Sequence, residues 1–218
     1  MISVDKDTMQ QIDNYAIKVL EIPSIVLVEH AAMAVIKNLN LKQRQTFAII
    51  VGVGNNGADG LAIARNLLSK GKDVDIYILS DIDKASEEFK IEYNIVSKLT
   101  DQIYNIKSIS DMEFMDKNID RVNTIIDGMF GTGLNREVKG VYSYVIDLIN
   151  EKRIYKVSID IPSGMDATTG KKLGYMVDSD LVVCMQLLKV GLTKNNLFQG
   201  KVVVEDISIP DKAIEKFV

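Results

Sequence analysis

The chain alternates short, fully apolar runs with longer segments in which apolar residues recur every three or four positions. Such runs are typical of strands buried on both faces, and the periodic segments are typical of helices. We predict strands at TFAIIV, VDIYILSD, QIYNI, VNTIID, YKVSID, SDLVVCM and KVVVEDISI. We predict helices over residues 5–20, 58–70, 83–99 and 142–153, and one more that begins near Pro23.

This alternation predicts an α/β fold, in which a mostly parallel sheet is covered by helices on both faces. The two helices ahead of the first long strand are expected to form an N-terminal helical cap. No internal repeat, low-complexity segment or linker interrupts the 218 residues. We therefore expect one domain that spans residues 1–218.

Composition and charge narrow the class of protein. The chain is 47% hydrophobic, and its formal charge of −4 is spread over interleaved acidic and basic residues. No basic stripe suggests nucleic acid, and no apolar run reaches the roughly 18 residues of a membrane helix. The polar N-terminus is unlike a targeting peptide, so we expect a cytoplasmic protein. The single cysteine, Cys184 in LVVCM, is expected to be a buried structural thiol.

Three predicted strands end in glycine-rich segments, each with a carboxylate. The segments are VGVGNNGADG with Asp59, DGMFGTGLNREVKG with Asp127, and DIPSGMDATTG with Asp160. Any one of them could be a plain turn or helix start, because glycine and aspartate favour both. In open α/β sheets, however, ligands bind beyond the carboxyl ends of the strands, so three such ends indicate a shared ligand site.

The first of these segments matches the G-x-G-x-x-G pattern of a dinucleotide-binding turn through Gly52, Gly54 and Gly57. Glycines let backbone N–H groups approach a phosphate closely, and the following helix N-terminus favours negative charge. Asp81 stands about where a dehydrogenase places its ribose-binding acid. An NAD(P)-dependent oxidoreductase is therefore one hypothesis.

Polar side chains inside the glycine pattern favour a different site. Asn55, Asn56 and Asp59 stand in a turn where a dehydrogenase presents mainly backbone, and the other two carboxylate-bearing segments have no role in simple hydride transfer. The lone histidine, His30, falls in a predicted N-terminal helix. A structural or solvent-facing position is expected for it rather than a role as hydride-transfer acid.

Taken in order, GVGNNGADGLAIARNL, IIDGMFGTGL and SIDIPSGMDATTG resemble the NAD(P)HX epimerase family, as do the opening TMQQIDNYAIKVLEIPSIVLVEHAA and the late SDLVVCMQLLKVGL. The resemblance implies a Rossmann-like three-layer α/β/α domain, usually a homodimer. It implies epimerisation of the R and S forms of hydrated NADH and NADPH (NADHX and NADPHX), with one bound potassium ion. Ala58 departs from a common family glycine, and His30 and Ala32 stand where asparagine and glycine are frequent.

The resemblance also assigns residues to the site. It implies potassium ligands at Asn56, Asp127 and Ser163, and this amide, carboxylate and hydroxyl suit a large monovalent ion better than calcium. It implies substrate contacts at Asn55, Asn56, Gly57, Ala58, Asp59, Gly131, Thr132, Gly133, Leu134, Asn135, Arg136, Glu137 and Asp160.

Epimerisation needs no redox step, because reversible loss of the hydroxyl, or ring opening, erases the configuration of the carbon. A group that donates and accepts a proton beside that carbon would assist both directions. Asp160 is our predicted catalytic residue, because it ends a strand and begins a glycine-rich turn. Lys189 in LLKVGL either orients the ligand or a carboxylate, or is a solvated lysine.

A second alternative to the epimerase is a nucleotide-sensing or interaction module that keeps the pocket without turnover. Larger bacterial members of the family append an NAD(P)H-hydrate dehydratase domain, which this sequence lacks. We expect that activity to come from a separate chain or a missing domain. The preference between NADHX and NADPHX stays open.

Overall fold

The computed structural model describes residues 2–195 and 198–218. In these ranges the strands are β1 (Ser3–Val4), β2 (Thr46–Val51), β3 (Asp73–Ile78), β4 (Ile103–Asn105), β5 (Thr124–Gly128), β6 (Tyr155–Ile159), β7 (Leu181–Met185), β8 (Leu188–Lys189) and β9 (Lys201–Glu205). Seven of them form one parallel sheet in the order β4-β3-β2-β5-β6-β7-β9, and β1 pairs with β8. The strand order reverses between β2 and β5, which is where ligands bind in such sheets.

The helices lie in two layers, one on each face of the sheet. They are α1 (Lys6–Lys18), α2 (Ser24–Asn38), α3 (Asn55–Ser69), α4 (Glu87–Val96), α5 (Ile109–Ile119), α6 (Val141–Glu151), α7 (Val190–Lys194) and α8 (Asp211–Ile214), with a 3₁₀ turn at Ile82–Lys84. Successive β2 residues point to opposite faces. Ile49 therefore belongs to the hydrophobic cluster of α2, α3 and α4, and Ile50 to that of α5 and α6. This three-layer α/β/α arrangement confirms the predicted fold class.

Several element boundaries differ from the prediction. Helix α2 packs against α3 and β7, so it belongs to the layer itself, while α1 reaches the carboxyl ends of the strands. Helix α3 begins at Asn55 rather than residue 58, because its N-cap is Gly54, which has no side chain to signal a start. Helix α5 was not predicted, although Ser108 and Asp111 form a capping box at its start.

Two single residues occupy the positions expected of them. Cys184 is fully buried, and burial raises the pKa of its thiol to about 11. His30 is half-buried on α2, with Nδ1 3.1 Å from the Ile207 carbonyl. Both roles are structural. Among the described residues, no helix has the length and apolar composition needed to cross a bilayer.

Candidate active site

A cleft of about 720 Å³ opens at the carboxyl ends of β2, β5 and β6. It receives side chains from all three glycine-rich segments predicted to share a ligand site. Helix α1 forms another wall, which the sequence did not reveal. The lining of this cleft includes Lys6, Asp13, Asn55, Asn56, Asp59, Glu88, Gly131, Asp160, Met185 and Lys189.

Glycines bring the loops after β2 and β5 into direct backbone contact. A Cβ atom on Gly52 would lie 2.3 Å from the Met129 carbonyl oxygen, and one on Gly57 would lie 2.0 Å from the Gly52 oxygen. Neither approach is possible with a side chain present. These glycines therefore serve close packing, and the N–H groups of the first turn of α3 stay available at the cleft.

Asn55 and Asn56 are the first two residues of α3, so this part of the glycine-rich segment is helical and not a loop. The Asn56 side chain lies against Gly131, where an added Cβ would be 3.4 Å from Asn56 Cγ. Its Nδ2 atom is buried and has no hydrogen-bond partner. Because amide nitrogen and oxygen are close in shape, a flip of the amide would put the oxygen at this buried position.

Asp127 is fully buried at the end of β5 and joins three segments. Its Oδ1 accepts hydrogen bonds from Met129 N at 3.2 Å and from the Ser163 hydroxyl, and its Oδ2 from Ser158 Oγ at 2.7 Å and Ser163 N at 2.9 Å. Burial raises the pKa of Asp127, and the hydrogen bonds from Ser163 and Ser158 partly offset that rise. Ser163 Oγ also accepts from Phe130 N at 2.9 Å, which ties the β5 loop to the turn after β6.

Asp160 and Lys189 form an ion pair in the cleft. Asp160 Oδ1 accepts from Lys189 Nζ and, at 2.9 Å, from Met185 N. Lys189 is only 1% exposed and also donates to the Met185 carbonyl at 2.7 Å. Burial alone would lower the pKa of Lys189, but the charge and hydrogen bond of Asp160, together with the charges of Cys184 and Asp13, outweigh burial and raise the pKa. The reading of Lys189 as a solvated lysine is therefore wrong, and it orients the Asp160 carboxylate.

Two further carboxyl groups face this pair. Burial raises the pKa of Asp13 to about 6, while the Lys189 charge lowers it and the Asp160 charge raises it. Burial also raises the pKa of Asp59, and the charges of Asp160, Asp13 and Glu88 add to the effect. Sequence reasoning missed Asp13. The available signal was the helical period of α1, which places Asp13 one turn after the buried Met9, at the edge of the buried face.

Some residues expected at the site lie outside the cleft lining. Ala58 packs in the hydrophobic core, and Gly57 is buried behind the loop. Glu137 is exposed and pairs with Lys139 at 2.9 Å. Asp81 caps the short 3₁₀ turn instead of facing the cleft, which removes the ribose-binding acid from the dehydrogenase hypothesis.

The fold and cleft define an α/β protein with a ligand site at the switch point of a parallel sheet and ionisable groups within it. Residues 24–191 match the family described as YjeF-related protein N-terminus. The chain belongs to this family, which confirms the resemblance carried by its motifs.

Individual relatives support the same assignment. The chain is 56% identical to the NAD(P)H-hydrate epimerase of Anaerococcus prevotii over 214 residues, 98% of each chain. It is 35% identical to that of Oenococcus oeni over 205 residues, 90% of this chain and 92% of the relative. Its fold is similar to the crystal structure of yeast ynu0, with a TM-score of 0.82 and 19% identity over 100% of this chain and 93% of the yeast chain.

We predict that Gly57→Ala destabilises the protein more than Gly54→Ala does. An added Cβ at Gly57 meets a backbone oxygen, whereas at Gly54 nothing lies within 4 Å. Forced overpacking costs about 1–3 kcal/mol, so Gly57→Ala should lower the free energy of unfolding by that amount in urea denaturation. Equal stability of the two variants would contradict the close approach of Gly52 and Gly57.

Proposed function

We propose that this protein is an isomerase that interconverts the R and S forms of NADHX and NADPHX, as part of nicotinamide cofactor repair. The observation that carries the proposal is the 56% identity with the Anaerococcus prevotii NAD(P)H-hydrate epimerase over 98% of both chains. Because that alignment runs nearly end to end, it takes in the segments that line the cleft, including α1.

The proposed mechanism uses Asp160 as the group that exchanges a proton with the substrate's hydroxyl. Lys189 holds Oδ1 of this carboxylate in one direction. The free N–H groups at the start of α3 suit a substrate phosphate. The proposed substrate contacts are those members of the predicted set that line the cleft: Asn55, Asn56, Asp59, Gly131, Thr132, Gly133, Leu134, Asn135, Arg136 and Asp160.

The function is tested with a mixture of the two NADHX epimers and a dehydratase specific for one of them. An epimerase makes both epimers disappear faster than spontaneous exchange allows. A non-catalytic binding module binds the substrate and leaves the exchange rate unchanged. Oxidation of ordinary NADH with a panel of carbonyl compounds would instead support the oxidoreductase.

We also propose that one potassium ion binds beside Asn56, Asp127 and Ser163. The fit rests on the Asn56 amide, one buried atom of which has no protein partner, and on a donor set with a single carboxylate. Among the described residues, no three His, Cys, Asp or Glu side chains group as a metal site, which suits weakly charged oxygen ligands better than a transition metal. A bound ion would supply a fixed positive charge between the loops.

We predict a potassium-dependent rise in the melting temperature that Asn56→Ala abolishes. The parent should gain stability when KCl replaces tetramethylammonium chloride at constant ionic strength, because the ion binds only the folded state. Asn55→Ala is the matched control, since this exposed neighbour is also in the first turn of α3. An equal rise in the melting temperature of Asn56→Ala would contradict this position for the ion. A strong calcium-specific rise in the parent would contradict its assignment as potassium.

We predict that Asp160→Asn slows epimerisation about 10²–10⁴-fold, the usual contribution of a general acid–base group. Asparagine has nearly the same shape and tolerates the positive φ of 65° found here. Loss of the charge paired with Lys189 should also lower the melting temperature, so rates are compared well below both transitions. Asp147→Asn, on the exposed side of α6, is the control. A loss under about tenfold would leave Asp160 as a turn residue only.

We further propose that the 218 residues act as one domain and assemble as a homodimer in the cytoplasm. Their functional partner would be an NAD(P)H-hydrate dehydratase, on a separate chain or in a further domain. These proposals rest on the family resemblance. Sedimentation velocity and the dehydratase assay above test them.

A further inference from the structure

We propose that Asp13 is a second proton-transferring carboxyl group of this site, which acts from the α1 side of the cleft while Asp160 acts from the end of β6. The inference rests on the proposed epimerase function. It adds a catalytic residue from a helix that lies outside the glycine-rich strand ends.

The placement of Asp13 sets it apart from the other residues of α1. Its neighbours Ile12 and Ala16 are fully buried, so the helix is firmly seated, and Asp13 itself lines the same cleft as Asp160 and Lys189. Within residues 2–195 and 198–218, no group donates a hydrogen bond to its carboxylate or forms an ion pair with it. A half-buried carboxylate without a partner weakens the fold, which structural packing alone does not explain.

Asp160 is more constrained. Its Oδ1 already accepts from Met185 N and Lys189 Nζ, so proton transfer at that oxygen would displace a donor. Asp13 has no such donors to lose. Hydrogen bonds therefore hold the Asp160 carboxylate in place, whereas the Asp13 carboxyl group can exchange a proton without losing a donor.

The chemistry of epimerisation calls for two groups. A proton passes to the substrate hydroxyl, the C–O bond breaks, and water leaves with the bonding electrons. The ring nitrogen stabilises the resulting cation. Water then adds to the other face of the same carbon and releases a proton to a carboxylate, so atoms and charge balance. Because water leaves from one face of the ring and adds to the other, carboxyl groups on two different walls of the cleft can assist both steps.

The charges around Asp13 keep both of its protonation states accessible near neutrality. Burial raises its pKa to about 6, with Lys189 lowering it and Asp160 raising it. The charged groups that line the cleft with it are Lys6 on α1, Asp59 on α3, Glu88 on α4, Arg136 in the loop after β5, Asp160 after β6 and Lys189 on β8. A general acid–base group works best when its pKa lies near the working pH.

The test compares epimerisation by the parent, Asp13→Asn, Asp13→Glu and Asp7→Asn over pH 5–9, with spontaneous exchange subtracted. We expect Asp13→Asn to lose about 10²–10⁴-fold in kcat and to lose the inflection near pH 6 in kcat/KM. Asp13→Glu should regain part of the rate and an inflection. Asp7→Asn, exposed in the first turn of the same helix, should match the parent.

Melting temperatures separate this role from a structural one. The native pKa of Asp13, about 6, lies above its unfolded value of 3.8, so stability falls as pH rises from 3.8 to about 6 and the full cost is present above that. Asp13→Asn should therefore melt no lower than the parent at pH 8, and its advantage should shrink toward pH 5.

Three results would overturn the inference. A loss under about tenfold in Asp13→Asn, or an inflection that stays near pH 6, would assign the proton transfer to another group. A variant that melts well below the parent would give Asp13 a structural role. A parent without epimerase activity would overturn the proposed function itself, and the inference with it.

Discussion

The buried carboxylate of Asp127 joins the segments on which the cleft is built. It accepts four hydrogen bonds, from Met129 in its own loop, from Ser158 on β6, and from the backbone and hydroxyl of Ser163. Hydrogen bonds to charged groups are worth about 1.5–3 kcal/mol each, and they offset part of the cost of burying the charge. Because the Ser163 hydroxyl also accepts from Phe130 N, the loops after β5 and β6 form one unit.

Asp160 begins the turn that contains Ser163, and contacts with β7 and β8 determine where its carboxylate points. Asp160 has a φ of 65°, a conformation that costs a non-glycine residue about 1–3 kcal/mol and survives only where the surroundings enforce it. Its N–H donates to the Val183 carbonyl at 2.8 Å, and its carboxylate meets the Met185 amide and Lys189. A buried ion pair is weak evidence for stability, since desolvation cancels much of its attraction. The ion pair instead fixes the orientation of the Asp160 carboxylate, because Oδ1 is held by two donors and the other oxygen is available to a ligand in the cleft.

The sequence revealed those parts of the site that follow directly from a strand. Asp127 and Asp160 end the predicted strands VNTIID and YKVSID, so parallel pairing brings them to one edge of the sheet. The α1 wall stayed hidden because Asp13 stands one turn after the buried Met9, at the edge of a polar stripe that looks like a solvated helix face. Only the tertiary fold shows that the stripe faces Lys189, far along the chain. The start of α3 was misplaced for a local reason, since Gly54 caps a helix through its backbone and leaves no side-chain signal.

The arrangement of charge follows from these constraints. Asp13 on α1 and Asp59 on α3 line the cleft and are largely withdrawn from water. Desolvation and mutual repulsion then raise the pKa values of Asp13 and Asp59 together, with Lys189 the main compensating cation near Asp13. Raised carboxylate pKa values make the fold less stable as pH rises above the unfolded values, because the unfolded chain gives up its protons first. A fold selected for stability alone would replace these carboxyl groups, so their presence in one cleft points to proton chemistry on a ligand.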